Sequence, residues 1–210
     1  GDWSSDVCSS DLANGRLDQV FSSDTGPGNT LMDQYAQKYF AVPFDKGGQI
    51  ASKGKINQSL LEALLAAPFF NWAVPKTIGP ELFNLQFIDQ AVNNCSFNQP
   101  ISNEDVMATL NEFTASSIVQ CVQATIPLKD KYTIYVSGGG LHNPVLINSL
   151  KNHLPNVVIE SAADIGIHAD AKEAILFAML ANECVAGTPL YAGGNATKLP
   201  VTMGKISFPI

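Results

Sequence analysis

The sequence predicts an α/β fold. In the last third, two strand-like runs, YTIYVS at residues 132–137 and NVVIES at 156–161, are each followed by a helical stretch. In the first third, FSSD enters a Gly-Pro-Gly turn that opens straight into an amphipathic segment. Strand and helix in alternation imply a parallel sheet, with ligands held at the carboxyl ends of its strands.

Composition narrows the partners. The 210 residues are 46% hydrophobic and carry a formal net charge of −7 with 12 Lys and Arg in total. With no basic cluster, neither nucleic acid nor an anionic membrane is expected as the main partner, and a small molecule is. Cys8, Cys95, Cys121 and Cys184 are scattered without paired spacing, so neither a zinc site nor a disulfide framework is suggested. A reducing, cytoplasmic location is the expectation, since no apolar run reaches the roughly 18 residues of a membrane span and no signal pattern opens the chain. His142, His153 and His168 show no ligand spacing, and no metal set is expected.

Residues 1–12, GDWSSDVCSSDL, have no hydrophobic period, and Trp3 stands among serines and aspartates. Reverse translation of DWSSDVCSSD gives a string that resembles a synthetic sequencing adapter. The segment is therefore read as extraneous, and residues 13–210 as the C-terminal part of a longer protein.

The elements follow in order. LDQVFSS reads as the end of a strand, and Thr30 to about Phe40 as a helix. The stretch VPFDKGGQIASKGKIN is a loop with room for a short hairpin. Gln58 to Ala67 is apolar on a helical period until Pro68 breaks it. Pro80 suits the first turn of a helix to about Asn93. Ser102 and Asp105 resemble a capping box ahead of the longest helix, whose apolar face includes Val106, Leu110, Phe113, Ile118, Cys121 and Val122, with Ser117 as a polar interruption, to about Ile126. After the strand at 132–137 come three glycines, then Asn143 and Pro144 as N-cap and first residue of a helix to about His153. A last helix is expected from about Asp170 to Val185, with Ile175, Leu176, Met179 and Leu180 as its core stripe.

Three loops compete for function: the Asp24 turn, the triple glycine, and the segment from Asp164 to Glu173. The turn from Asp24 to Asn29 offers a helix N-terminus to an anion such as phosphate; structurally, Gly26, Pro27 and Gly28 simply turn the chain and Asn29 caps the helix. Asp24 is either an Asx-turn residue or a carboxylate that orients Mg²⁺ or takes a proton from a nucleophile. Gly138, Gly139 and Gly140 match neither GxGxxG nor GxxxxGK[ST], and they admit either a flat adenine or ribose or a crowded strand-to-helix crossing. Glu173 near a helix start is either a charge–dipole contact worth about 0.3–1 kcal/mol or a functional carboxylate. Lys76, in VPKTIGPELF, is either solvated or walls a sugar pocket.

Taken together, DTGPGN-x-LMD, the PK-T-x-G-x-E-x-FN stretch from Pro75 to Asn84, DVMATLNEFTA, YVSGGGLHNPVL and DIGI-x-x-D-x-KEAI-x-FAMLA, in that order, resemble the anhydro-N-acetylmuramic acid kinase family from Leu17 to Ile210. The resemblance implies an actin-like ATPase and sugar kinase lobe of the ribonuclease H-like type, truncated at its N-terminus and including most of the C-terminal ATPase lobe. It implies ATP with Mg²⁺, a cleft between two α/β lobes, an anhydro amino sugar as substrate, a homodimer, and a place in peptidoglycan recycling. By the same resemblance Asp24 is the base that activates water, Glu173 an acidic residue at the same site, and Gly26, Gly28 and Asn29 part of a phosphate loop. Gly138 to Gly140 match the adenosine-contacting turn, and Lys76 and Glu81 the substrate-side segment.

The sequence departs from the family pattern at Ile78, where Ser or Thr is usual, and at Pro80, where Arg is usual. A Gly-Thr-Ser-x-Asp-Gly phosphate loop is absent, so this stretch alone is expected to be inactive, because phosphoryl transfer needs charge stabilisation from both sides of a cleft. The alternative is a degenerate or regulatory nucleotide-binding module of the same superfamily.

Overall fold

The computed structural model describes residues 6–10, 21–79, 81–97, 100–125, 131–168 and 171–187. Among these the order is β1 (Asp6–Ser10), β2 (Phe21–Gly26), α1 (Thr30–Phe40), α2 (Gln58–Leu65), α3 (Leu85–Asn94), α4 (Asn103–Thr125), β3 (Tyr132–Val136), α5 (Pro144–His153), β4 (Val157–Ser161) and α6 (Lys172–Ala186). The expected strand residues Leu17–Val20, the helix ends at Ile126 and Asp170, and Pro80 lie outside the described residues. The described residues divide into two units, one holding Phe21–Ser161 with the N-terminal strand, the other Ala162–Gly187.

The first unit is built around α4. The first half of this 23-residue helix sets Val106, Met107, Leu110 and Phe113 into one apolar cluster with Leu31 of α1, Leu60 and Leu64 of α2, Ile88 of α3 and Phe69. Its second half sets Ala115, Val119 and Val122 into another, with Leu146 and Leu150 of α5, Leu154 and Val157. Each fully buried Leu or Phe contributes about 1.5–3 kcal/mol, so one long, largely buried helix organises most of this unit. Ser102 starts α4 as the sequence implies, its hydroxyl oxygen accepting the Asp105 N–H at 3.1 Å. Four polar residues of α4 are also enclosed: Thr109, Asn111, Thr114 and Ser117 are all buried.

Other elements differ from expectation. α3 begins at Leu85, after the position expected from Pro80, because extended Asn84 caps it by accepting the Phe87 N–H at 3.1 Å. The loop after α1 forms no hairpin. It winds into two 3-10 turns, Lys46–Gly48 and Ala51–Lys53, since the buried Asp45 carboxylate takes the N–H groups of Ile50 and Ala51 at 2.8 and 3.0 Å, groups a hairpin ladder would need.

β3 and β4 pair in parallel, Tyr132 opposite Val157 through Val136 opposite Ser161. Both strands are covered on one face: Ile134 and Ile159 pack on the α5 cluster, while Tyr135 and Val158 are 45% and 50% exposed. A run rich in Val, Ile and Tyr signals a strand without saying how many of its faces are covered. β1 pairs antiparallel with β2, Cys8 opposite Ser23 and Ser10 opposite Phe21. The aperiodic segment joins a sheet because ladder hydrogen bonds come from the backbone, which any extended stretch can offer to an open edge.

In the second unit, α6 follows a 3-10 turn at Ala162–Ile165. Its expected core stripe is not buried: Ile175, Leu176 and Met179 are 38%, 50% and 62% exposed, and Leu180 is half-buried. The run from Ala174 to Ala181 has no polar side chain on any face, so its periodicity picks out a stripe that the helix itself does not distinguish.

Candidate functional site

Asp24 lies near the end of β2 and is held from one side by the segment Lys76–Ile78. Its N–H donates to the Lys76 carbonyl at 2.9 Å, and its Oδ2 accepts the Ile78 N–H at 2.7 Å. Buried Ser23 adds a third tie, its hydroxyl oxygen accepting the Lys76 N–H at 3.0 Å. Asp24 is therefore not a local Asx turn: the partner of its carboxylate lies 54 residues away.

Beyond Asp24 the chain turns sharply. Gly26 faces Ser117 of α4 so closely that a Cβ would stand 2.5 Å from its Oγ. Gly28 has φ +57°, the left-handed region that favours glycine, and its carbonyl accepts the Thr114 hydroxyl at 3.0 Å. α1 then begins at Thr30, whose N–H donates to the Pro27 carbonyl at 3.1 Å. Asn29 does not cap this helix with its side chain, contrary to the local reading.

The Asn29 amide stands instead against the triple-glycine turn, its Nδ2 3.3 Å from where a Cβ of Gly139 would be and its Oδ1 3.8 Å from that of Gly140. Two of the three candidate loops are thus brought together inside one unit. Gly138, with φ +86°, opens a 3-10 turn over Gly139–His142, and Asn143 caps α5 by accepting the N–H groups of Val145 and Leu146 at 3.1 and 3.2 Å. A Cβ at Gly138 would meet nothing within 4 Å, and one at Gly140 would make only ordinary contact with Leu146. A crowded crossing therefore does not account for the three glycines, and at Gly138 the left-handed φ by itself favours glycine.

Lys76 turns inward. Its Nζ donates to the Phe69 carbonyl at 2.9 Å and lies 4.2 Å from the centre of the Phe69 ring. Partial burial pushes this ammonium below the ordinary lysine value, with Cys121 acting in the opposite direction. It borders a cavity of about 320 Å³ that Thr25, Phe70, Trp72, Ser117 and Cys121 also line. Glu81 is exposed, its carboxylate folded back over Gly79. Glu173 lies on the first turn of α6, in the second unit. His142 and His168 are exposed, and His153 Nε2 lies 2.5 Å from Glu112 Oε1.

Sequence reasoning missed Ser23, Thr114 and the Ile78 N–H. The first two are small hydroxyl residues with no periodic signature, and the third is a backbone group that only tertiary pairing puts to use.

Comparison with known proteins identifies the family of the chain. Residues 13–208 match the family model described as anhydro-N-acetylmuramic acid kinase. Curated relatives of that name include one from Pseudoalteromonas atlantica, 44% identical over 205 residues, covering 96% of this chain and 50% of the relative. Another, from Caldanaerobacter subterraneus, is 37% identical over 200 residues, covering 92% of this chain and 50% of the relative. The chain spans about half the length of the curated relatives it matches.

Proposed function

The chain belongs to the anhydro-N-acetylmuramic acid kinase family, and on that premise we propose that it forms part of an ATP-dependent enzyme of cell-wall recycling, which opens 1,6-anhydro-N-acetylmuramic acid with water and phosphorylates it to N-acetylmuramic acid 6-phosphate. In this reading the fold is an actin-like ATPase lobe, the location cytoplasmic and the assembly a homodimer. One observation carries it: the turn bearing Asp24 meets, through Asn29, a triple-glycine turn whose first glycine, Gly138, has no described neighbour within 4 Å of its missing Cβ.

Asp24 accepts a proton from the water that attacks the anomeric carbon, and the Ile78 N–H, 2.7 Å from Oδ2, fixes the carboxylate. The turn from Gly26 to Asn29, at the N-terminus of α1, suits phosphate oxygens through its backbone N–H groups and helix dipole. Gly138 to Gly140 suit the flat adenosine portion, since Gly138 meets nothing within 4 Å. ATP, with Mg²⁺, supplies the phosphoryl group that ends on the C6 oxygen. Glu81 belongs to the sugar side.

The test is Asp24→Asn in the full-length enzyme. Asn preserves size and an acceptor for the Ile78 N–H but cannot take the proton. ATP affinity should survive, while formation of sugar phosphate falls by about 10²–10⁴, roughly 3–5 kcal/mol of barrier. A fall smaller than about tenfold sinks the assignment.

A further inference from the structure

We propose that Lys76 is a positioning residue for Asp24: its ammonium ties the segment that orients the carboxylate to the aromatic core, and does not contact the sugar. The proposal rests on the reading of Asp24 as the base.

A continuous set of contacts links the core to the carboxylate. Phe69 is fully buried and packs edge-on against Phe83, with ring centres 5.7 Å apart. Lys76 Nζ donates to the Phe69 carbonyl at 2.9 Å and lies 4.2 Å from its ring centre, so the side chain is anchored by both the backbone and the face of one core residue. The Lys76 backbone exchanges with β2 on the other side, its carbonyl taking the Asp24 N–H at 2.9 Å and its N–H reaching Ser23 Oγ at 3.0 Å. Two residues on, the Ile78 N–H meets Asp24 Oδ2.

The chemistry of the placement points the same way. A partly buried ammonium is disfavoured there, as the lowering of its pKa by burial reflects, and an apolar side chain would fill the space against Phe69 and Phe70 more cheaply. What the charge adds is the bond to the Phe69 carbonyl. A carboxylate displaced by about 1 Å can lose on the order of a hundredfold in rate, so an anchor two residues from its hydrogen-bond donor acts directly on catalysis.

The experiment compares Lys76→Met and Lys76→Arg in the full-length enzyme. Lys76→Met, which keeps the stem and loses the ammonium, should lower kcat by about ten- to a hundredfold. KM for the anhydro sugar and ATP affinity should stay within about twofold of the parent, as expected when only transition-state geometry is lost. Lys76→Arg, which also donates to a carbonyl and stacks on a ring, should restore most of the rate. A raised KM for the sugar with kcat retained would make Lys76 a substrate ligand, and no change in either would make its charge idle; both overturn the proposal.

In an Asp24→Asn background Lys76→Met should cost nothing more, because the two act as one unit. Additive losses there overturn the proposal while leaving Asp24 as base, whereas normal turnover by Asp24→Asn alone removes the base reading itself. Should Lys76→Met not fold, Ser23→Ala reads the same linkage from the β2 side: a loss in kcat alone supports it, and a rise in KM overturns it.

Discussion

Gly26 of β2 lies directly against Ser117 of α4, so that a Cβ on Gly26 would stand 2.5 Å from the serine Oγ and 2.8 Å from its Cβ. The strand that carries Asp24 can approach the central helix only because one partner has no side chain and the other a small one. This reassigns part of the glycine's purpose from ligand approach to packing.

Gly26→Ala should accordingly destabilise the chain by about 1–3 kcal/mol, the usual cost of overpacking. Adding Ser117→Gly should recover part of it, with a favourable coupling of about 0.5–3 kcal/mol in a double-mutant cycle. Thermal midpoints of the four proteins measure this. An unchanged midpoint for Gly26→Ala would contradict the steric account.

Gly139 makes the opposite case. It is exposed, its φ lies outside the left-handed region, and only the Asn29 amide lies near its missing Cβ. Gly139→Val should therefore leave the full-length enzyme folded but weaken ATP binding by roughly tenfold or more, about 1.4 kcal/mol, since the branched side chain fills the space proposed for the nucleotide. Calorimetry with ATP decides it: unchanged affinity in a folded variant removes the triple glycine from the nucleotide site.

Acid stability has a named contributor. The Asp105 carboxyl is held below its ordinary value of 3.8, first by the Lys55 N–H at 2.6 Å and then by the Ser102 hydroxyl. A depressed carboxyl adds stability above that ordinary value and loses it as pH falls through the lower folded one. The gap in thermal midpoint between the parent and Asp105→Asn should be full near neutrality and shrink as pH drops below about 3.8. A gap constant from pH 7 to pH 2 would rule this contribution out.

Much of the local architecture was legible in the sequence. Asn143 and Pro144 mark the start of α5 because a capping side chain accepts from N–H groups two and three residues ahead, and that reach lies within the local chain. Ser102 opens α4 for the same reason. The same rule misled at Asn29, an equally good cap by type, because its amide is drawn to Gly139 and Gly140, more than a hundred positions on. Likewise Lys76 carries no mark of facing Phe69, and the apolar run of α6 none of being exposed, since both depend on what stands opposite.

By itself the sequence determined that an aspartate sits on a strand-to-helix turn with two glycines, that a second turn is made of three, and that a long amphipathic helix lies between them, because each rests on residue preferences acting over a few neighbours. Only the tertiary structure decided that these turns meet at Asn29, that Gly26 is spent on Ser117, and that the Asp24 carboxylate is oriented by the N–H of Ile78. That N–H is 54 residues distant and belongs to the backbone, so no side-chain pattern could announce it; packing around α4 brings it within 2.7 Å.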